Sequence, residues 1–281
     1  MKKYYRICQQ NIELSLERDV LDTEEWALFE TGCCEPDIVV ACREVASLPE
    51  REGEYKPSGD DFCVRDFSPC VERRFVAAGK DASLAQYKVS QNPQCSVAVT
   101  ENMWDAIMDR RYMWPVVALP YLLAMKRTIM VHASYIEFGG EGIIFSAPCG
   151  TGKSTQAALW EKHRGAEIIN GDKCAISADA DGVTVHGVPF AGTSGICKNK
   201  SLPLKAIVVL RQAPQNSVKR LGGAYAVRAL TENVYHDMAT AAESAVLMSI
   251  IMDITEETPI YELACTPDEG AVQELEKLLR S

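Results

Sequence analysis

The sequence predicts an α/β protein with a small β-rich N-terminal domain and a larger C-terminal domain of mixed strands and helices. Residues 1–111 contain short apolar segments separated by clusters of Gly, Pro, Asp and Asn, which is typical of strands joined by turns. Beyond residue 114, strand-like runs alternate with segments of helical spacing. The stretch 142–155, G-I-I-F-S-A-P-C-G-T-G-K-S-T, combines both: an apolar run leads through a small-residue loop into a helical pattern.

The N-terminal domain is predicted to span residues 1–113 and to consist of strands. Several of its segments alternate apolar with polar residues, as half-buried strands do. The predicted strands are Tyr4–Cys8, Ile38–Cys42, Phe62–Phe67, Cys70–Ala77, Leu84–Val89 and Ser96–Thr100. Because no catalytic constellation is apparent among these segments, the sequence assigns the domain no role.

Two helical segments are predicted near the junction, Glu101–Arg111 and Pro115–Lys126, since both carry apolar residues at helical spacing. We place the boundary between residues 113 and 114, so that the C-terminal domain spans 114–281. A strand predicted at Ile129–Phe138 then leads through a Gly-rich turn into the apolar run that precedes the small-residue loop.

The small-residue loop has the composition of a phosphate-binding loop. Its glycines let consecutive backbone N–H groups point at one anion, and the start of the following helix adds its partial positive charge. Lys153 can reach the β- and γ-phosphates of a nucleotide, and the Ser154 hydroxyl can ligate Mg²⁺. The first motif position, usually Gly, is Ala147. The residues predicted to bind the nucleotide are Gly150, Thr151, Gly152, Lys153, Ser154 and Thr155.

Two further residues are candidates for chemistry beside this loop. Ala166–Ile176 is predicted as the next strand, and its Asp172 can ligate Mg²⁺ or accept the proton of an attacking hydroxyl. We favour that role over a plain turn aspartate, because strands consecutive in sequence are often neighbours in the sheet. His132 lies in an apolar strand, where a core histidine is commoner than a functional one.

The rest of the C-terminal domain is predicted as scaffold. The basic loop at 192–200 can close over phosphates or be simply solvated, and the sequence leaves both open. The scaffold elements are a hairpin turn at Asp179–Gly182, a strand at Ala206–Leu210, helical spacing from Ala224 to Asp253, a strand at Tyr261–Ala264 and a capping box at Thr266–Glu269 that opens a helix to Leu279.

Composition restricts the function classes. A net charge of -10 and a pI near 5.0 argue against DNA or RNA as partners, because binding a phosphate backbone needs a clustered basic surface. We expect a cytoplasmic protein without a membrane partner, since neither a signal peptide nor a bilayer-spanning apolar run is apparent. The 11 cysteines include no C-x-x-C pair, which favours free thiols. Cys149, in the loop, is the one expected to be reactive.

The block from His132 to Ser154 resembles the corresponding block of the HPr kinase/phosphorylase catalytic domain. The shared features are a His-Ala strand start, an acid five residues later, a Gly turn, an apolar strand and C-G-T-G-K-S. Asn170-Gly171-Asp172 is similar to that family's A-D-D segment. The sequence C-T-P-D-E at 265–269 resembles diverged HPr-kinase-like proteins of bacterial gene clusters. The resemblance covers roughly residues 115–281.

This resemblance implies a phosphate-loop domain of the phosphoenolpyruvate-carboxykinase type, with a mixed sheet and flanking helices. It also implies roles: Lys153 would hold the phosphates, Ser154 and Asp172 the metal, and His132 would lie near the transferred phosphoryl group. Asp172 would act as base toward an acceptor hydroxyl. Two features depart from the family pattern, namely Gly171 at the first acid and the absence of R-G-x-G-I between residues 187 and 200.

Together these features predict a kinase that uses ATP and Mg²⁺ to phosphorylate a hydroxyl, with serine as first choice, on a peptide, small protein or metabolite. The alternative is a nucleotide-binding regulatory or adaptor protein with lost or weak phosphotransfer, in keeping with Gly171. A carboxykinase-like enzyme ranks lower, because no oxaloacetate-binding arginine set is apparent. Assembly into a homo-oligomer stays open.

Overall fold

The computed structural model describes residues 1–18, 23–58, 62–67, 70–77, 80–88, 93–101, 104, 117, 119–235 and 241–280. The chain divides into two compact units. The first comprises Met1–Lys126 and His236–Val246, and the second Arg127–Tyr235 and Leu247–Ser281. This division differs from the predicted boundary between residues 113 and 114, since the helix at Leu119–Ala124 groups with the first unit.

The first unit is built on an eight-stranded mixed sheet in the order β1-β2-β3-β8-β7-β6-β5-β4. The β2–β3 and β3–β8 pairs are parallel, and the others are antiparallel. Its elements are β1 Lys2–Ile7, β2 Gln10–Leu16, α1 Glu24–Ala27, β3 Ile38–Val45, β4 Lys56–Ser58, β5 Phe62–Phe67, β6 Cys70–Ala77, β7 Lys80–Lys88, β8 Gln94–Thr100 and α2 Leu119–Ala124.

The predicted strands of this unit are all present, and β2 and the short β4 are additional. β2 buries Ile12, Leu14 and Leu16 on one face, which is the period-2 alternation of a half-buried strand. That alternation is visible in the sequence and is a signal that could have identified β2 beforehand. The predicted helix Glu101–Arg111 lies for the most part outside the described residues.

The second unit contains most of the remaining elements around a second mixed sheet. The elements after α2 are β9 Thr128–Phe138, β10 Glu141–Ser146, α3 Lys153–Arg164, β11 Glu167–Asn170, β12 Lys173–Asp179, β13 Gly182–Gly187, a 3₁₀ turn Gly192–Ser194, β14 Ser201–Gln212, β15 Ser217–Leu221, α4 Ala224–Thr231, α5 Ala241–Glu257, β16 Ile260–Cys265 and α6 Glu269–Leu279. The predicted α/β class is thus confirmed at the level of two mixed sheets with few helices.

Long strands give the second sheet its topology. The sheet has the order β10-β9-β12-β13-β14-β16-β15, and β10 also pairs with β14, so five strands are linked pairwise into a ring. β10, β14 and β16 run parallel to one another, and β9 is antiparallel to β10. The carboxyl ends of three strands therefore meet at one edge, where ligands of open α/β sheets commonly bind.

A hydrophobic core fixes α3 against this sheet. Trp160 is fully buried and makes an edge contact with Phe138 at a centroid distance of 5.1 Å. It shares a cluster with Ile143 and Phe145 of β10 and with residues of α6. Because α3 directly follows the loop, this packing holds the start of the helix in register with the end of β10.

Three predicted elements differ in detail from the structure. Ala166–Ile176 is two strands, β11 and β12, separated at Gly171 and Asp172. The helical spacing from Ala224 to Asp253 belongs to α4 and α5, and the chain between them pairs with β9 through a Val131–Val234 bridge. The terminal helix α6 begins at Glu269, with the Asp268 side chain accepting from the Ala271 N–H as N-cap.

Every cysteine whose side chain the structure describes is free, as predicted. Within the described ranges, none of the helices has the combination of length and apolar composition that crossing a membrane requires.

Candidate functional site

The loop between β10 and α3 is the candidate phosphate loop, and it leads directly into the start of a helix. Its backbone turns at Gly152, where φ is 121°, a region that favours glycine. α3 then begins at Lys153, and the Gln156 N–H donates to the Gly152 carbonyl at 2.9 Å. The N–H groups of Lys153, Ser154 and Thr155 precede that first intrahelical bond, so they have no acceptor within the helix. They present donors and the positive end of the helix dipole to an anion.

Ala147, at the position where the motif usually has Gly, is accommodated by the core. It is fully buried and belongs to the apolar cluster that contains Phe145, Ala157 and Trp160. Its methyl group therefore packs with the apolar residues that anchor α3, which gives the departure from the strict motif a packing role.

Lys153 is almost fully buried, and its ammonium group contacts its own loop. Nζ donates to the Ala147 carbonyl at 2.9 Å and to the Pro148 carbonyl at 3.4 Å. Burial lowers the pKa of Lys153, while the negative charge of Asp172 opposes that shift. The charges of Lys153 and Asp172 therefore act on each other.

Asp172 is held in place by a buried amide two residues earlier. Asn170 Oδ1 accepts from the N–H groups of Asp172 and Lys173, both at 3.0 Å. The Asn170 Nδ2 group donates to the carbonyls of Val188 and Phe190. The amide thus fastens the turn between β11 and β12 to the segment that follows β13, and it fixes the direction in which the carboxylate leaves the backbone.

His132 and Asp172 form a polar pair. His132 Nε2 lies 3.2 Å from Asp172 Oδ1, and Lys173 Nζ donates to Oδ2 of the same carboxylate. The hydrogen bond from His132 is the main cause of a depressed Asp172 pKa, with Lys173 adding to it and burial opposing it. Asp172 is consequently ionised across the physiological range.

Strand pairing brings this polar pair to the end of β10. His132 in β9 lies opposite Lys173 of β12, and the next residue, Ala133, lies opposite Ser146, the last residue of β10. The Ser146 hydroxyl donates to the His132 carbonyl at 3.0 Å. The phosphate loop starts directly after Ser146, so the register of three strands brings two of the predicted site residues next to the loop.

The turn at 192–194 packs against Asp172 and explains Gly171. A Cβ added at Gly171 would lie 2.2 Å from Ser194 Oγ, and one added at Gly192 would lie 2.5 Å from Asp172 Cγ. Ser194 is itself fixed, because its hydroxyl donates to the Ala191 carbonyl at 2.7 Å. A side chain at position 171 is therefore sterically excluded by Ser194.

Two residues near the polar pair were given no role from the sequence. Tyr235 lies in the segment between α4 and α5, with its ring 6.0 Å from that of His132 and 5.6 Å from Lys173 Nζ. Burial raises the Tyr235 pKa, so the phenol stays neutral. Lys173 adjoins Asp172 in the sequence, whereas nothing in the sequence links Tyr235 to a strand some hundred residues earlier.

Four of the predicted loop residues line a cavity of about 510 Å³, whereas Ser154 is not part of its lining. It is lined on one side by Gly150, Thr151, Gly152, Thr155 and Gln156. On the other side the chain that ends β14 and the chain that ends β16 contribute Leu210, Gln212, Ala213, Cys265, Thr266 and Pro267. The predicted site residues other than Ser154 thus form two groups, one at the polar pair with Lys153 and one along this cavity.

The side chains near the loop offer few ligands for a metal ion. Among the described residues, no group of three or more His, Cys, Asp or Glu side chains can hold a metal ion. Mg²⁺ typically uses few protein ligands and completes its shell with water and substrate phosphates. The exposed Ser154 hydroxyl fits that pattern, and Asp172 fits it through water because its oxygens already face His132 and Lys173.

Comparison with protein families identifies the chain. The model of the family described as SynChlorMet cassette protein ScmC matches residues 94–280. The chain belongs to this family. The matched range includes the phosphate loop, the polar pair and the cavity, as well as β8 and α2 of the first unit.

A solved structure shows a weak similarity to the chain. The Hpr(Ser) kinase/phosphatase from Coxiella burnetii aligns with 54% of this ScmC-family chain and 88% of its own, at 11% identity and a TM-score of 0.33. That likeness is too low to support an argument about this protein. None of the curated proteins compared with the chain matches it.

Proposed function

We propose that this protein is an ATP-dependent phosphotransferase that moves the γ-phosphoryl group to a hydroxyl, with serine as the first candidate acceptor. The observation that carries the proposal is the placement of the His132–Asp172 pair beside the end of β10, where its charge acts on Lys153 of the loop. A phosphate-binding loop and an ionised carboxylate beside it are the two parts that phosphoryl transfer needs.

Each residue has a distinct task in this proposal. The N–H groups of Lys153, Ser154 and Thr155 and the Lys153 ammonium hold the phosphates, which requires Lys153 Nζ to leave the carbonyls it contacts. The Asp172 carboxylate, which its depressed pKa keeps negatively charged, accepts a hydrogen bond from the acceptor hydroxyl and orients it. It receives the proton of that hydroxyl late in the transfer step. His132 keeps that carboxylate directed by its hydrogen bond.

A magnesium ion that accompanies ATP would be held by Ser154, with Asp172 through water. The metal supplies neutralisation of the charge on the phosphates. The remaining contribution of the protein is positioning: it fixes one hydroxyl and one phosphate in line, and it does so without forming a covalent bond to either.

The proposal is tested by two substitutions, each with a matched control. Lys153→Ala removes the phosphate contact, so phosphoryl transfer should fall by at least about a hundredfold and ATP binding should weaken, as expected for loss of electrostatic stabilisation. Lys162→Ala, an exposed lysine on the same helix, should change neither. Transfer is measured with radiolabelled ATP and a serine-peptide library.

Asp172→Asn separates binding from transfer. The neutral amide of the variant cannot orient the acceptor hydroxyl and take up its proton as the carboxylate does. Phosphoryl transfer should therefore be lost while ATP affinity stays within about threefold. The control is Asp181→Asn in the exposed β12–β13 turn. Full transfer activity in Asp172→Asn would show that the carboxylate has no part in the reaction.

A second function is favoured by Gly171. Position 171, where the HPr kinase pattern has its first acid, cannot accommodate an acidic side chain, because Ser194 occupies the space that such a side chain would need. This favours a nucleotide-binding regulatory or adaptor protein whose phosphotransfer is weak or lost. Tight Mg-ATP binding without transfer to any acceptor and without hydrolysis would establish that alternative over the kinase.

A further inference from the structure

The cavity beside the phosphate loop has an uncharged lining, although the loop itself suits an anion. The residues on its wall are glycines, threonines, glutamines and the apolar Leu210, Ala213 and Pro267, together with Cys265. Burial raises the pKa of the Cys265 thiol, so this side chain is neutral too. A lining of this kind excludes a second charged group and suits a neutral, partly apolar one that is attached to the phosphates.

The position of the cavity follows from the sheet. It opens where β14 and β16 end, beside the loop that follows the parallel strand β10. The Ala213 N–H donates to the Cys265 carbonyl at 3.1 Å, which joins the two strand ends into one wall. The opposite wall is the loop and the first turn of α3, so the cavity adjoins the loop at Gly152 and Thr155.

The wall contains a buried acceptor without a partner. Gln156 is 2% exposed, and its Nε2 group donates to Cys265 Sγ at 3.3 Å. Its Oε1 atom has no hydrogen-bond partner. A buried amide oxygen left unpaired is costly, so a ligand that donates to it gains affinity. Thr266, also on the wall, is held in place because its hydroxyl contacts Asp268 Oδ2 at 2.6 Å.

We propose that this cavity binds the base of an adenine nucleotide, and that Gln156 selects adenine by accepting from its exocyclic amino group. The oxygen of a glutamine amide accepts from the amino group of adenine in known adenine contacts. At the corresponding position guanine has a carbonyl oxygen, which is an acceptor. Guanine would place its carbonyl oxygen against Gln156 Oε1. A volume of about 510 Å³ lies in the range of small-molecule sites and accommodates a purine with its ribose.

The inference rests on the proposed binding of nucleotide phosphates by the loop, and the test separates the two. Binding of Mg-ATP, Mg-GTP and inorganic tripolyphosphate is measured by calorimetry on the 281-residue chain. Wild type should bind ATP about tenfold more tightly than GTP, which corresponds to one favourable hydrogen bond. Gln156→Leu should abolish that preference and leave tripolyphosphate binding unchanged, whereas Gln94→Leu, an exposed position in β8, should keep it.

A second variant fills the cavity without touching Gln156. Ala213→Phe places a ring in the space of the base, so ATP should bind at least about tenfold more weakly while tripolyphosphate still binds, as expected from a steric block. Ala158→Phe, at an exposed position of α3 outside the cavity, is the control. Intact tripolyphosphate binding also shows that each variant is folded.

The outcomes are distinguishable. Equal ATP and GTP affinities in wild type, a preference for GTP, or an Ala213→Phe protein that binds ATP normally would overturn the base site and leave the phosphate loop standing. Failure of wild type to bind either tripolyphosphate or ATP would overturn both the base site and the proposed function.

Discussion

Asn170 shows how one buried amide determines where a charged side chain lies. It is fully buried, and its amide accepts two backbone N–H groups and donates to two carbonyls. An unpaired buried amide costs on the order of 1–3 kcal/mol, so these four bonds make a single arrangement of the turn much the most stable. The backbone of Asp172 is fixed in this arrangement, because its own N–H donates to Asn170 Oδ1.

The contact between Gly171 and Ser194 makes a prediction at the same scale. Gly171→Ala adds a methyl group 2.2 Å from Ser194 Oγ, so the turn at 192–194 must move and Asp172 with it. We expect a loss of about 1–3 kcal/mol in the free energy of unfolding, typical of overpacking, together with lower phosphoryl transfer. Urea denaturation and the transfer assay measure the two effects.

Ser194→Gly serves as the rescue in that experiment. It removes the clashing hydroxyl, so the double variant Gly171→Ala/Ser194→Gly should recover most of the lost stability. If the double variant is no more stable than Gly171→Ala, the steric account of Gly171 is wrong.

The phosphate loop is an example at the scale of the element. Its helix starts where it does because Trp160 and its neighbours anchor α3 against β10, and because the chain turns at Gly152. No heavy atom lies within 4 Å of a Cβ added at Gly152, so backbone conformation alone restricts this position.

Gly152→Ala therefore isolates the backbone effect. An alanine at φ 121° is strained by on the order of 1–3 kcal/mol, which the loop relieves by changing the direction of its N–H groups. Binding of inorganic tripolyphosphate should weaken by at least about tenfold. Gly222→Ala, which lacks a positive φ and has open space around it, is the matched control and should bind normally. Unchanged binding by Gly152→Ala would mean that the loop amides do not hold the phosphates.

Element boundaries are also decided by pairing with other elements. The apolar spacing from Ala224 to Asp253 is helical, yet residues 232–235 after α4 leave helical geometry and pair with β9: the Tyr235 N–H donates to the Met130 carbonyl at 2.8 Å. The same pairing places the Tyr235 ring beside His132. Local periodicity cannot report a bond between residues this far apart.

At the scale of the whole molecule, the ring of strands contains a buried histidine. His186 is 1% exposed and lies between two hydroxyls: Nε2 is 2.9 Å from Ser177 Oγ and Nδ1 is 2.8 Å from Ser201 Oγ. Burial lowers the His186 pKa to about 4 from its ordinary 6.5. This side chain is neutral in the fold, and it joins β12, β13 and β14.

That pKa shift predicts an acid dependence of stability. Between pH 6.5 and 4 the unfolded chain binds a proton at this position and the folded chain does not, so stability falls as pH falls. The full loss is about 3 kcal/mol below pH 4, and none of it appears above pH 6.5. Urea unfolding of wild type and His186→Gln from pH 4 to 7.5 measures it.

The informative quantity is the difference between the two proteins, because other acids titrate in both. His186→Gln should be less stable at pH 7 and should show a shallower decline toward pH 4. His163→Gln, at a partly exposed position, should keep the wild-type decline. Parallel declines in His186→Gln and wild type would exclude His186 as the cause.

Much of the candidate site was predictable because its chemistry is local. The run from Ser146 to Thr155 carries strand end, glycine turn, lysine and helix start in consecutive residues, so composition and spacing suffice to predict the loop. The α/β class and most strands were predictable for the same reason, since period-2 and helical patterns are properties of short segments. Asp172 precedes β12, which pairs with β9 and not with β10, and its role as a site residue stays a prediction.

What the sequence by itself determined is therefore the glycine-rich loop between a strand and a helix, the α/β class and the candidate charged residues. Only the tertiary structure decided that His132 contacts Asp172, that Ser194 closes the space at Gly171, that Tyr235 lies near His132, and that Gln156 lines a cavity walled by the ends of β14 and β16. The physical reason is that these contacts join residues from different strands and turns. Their distances are set by sheet register and core packing, which no short segment of the chain contains.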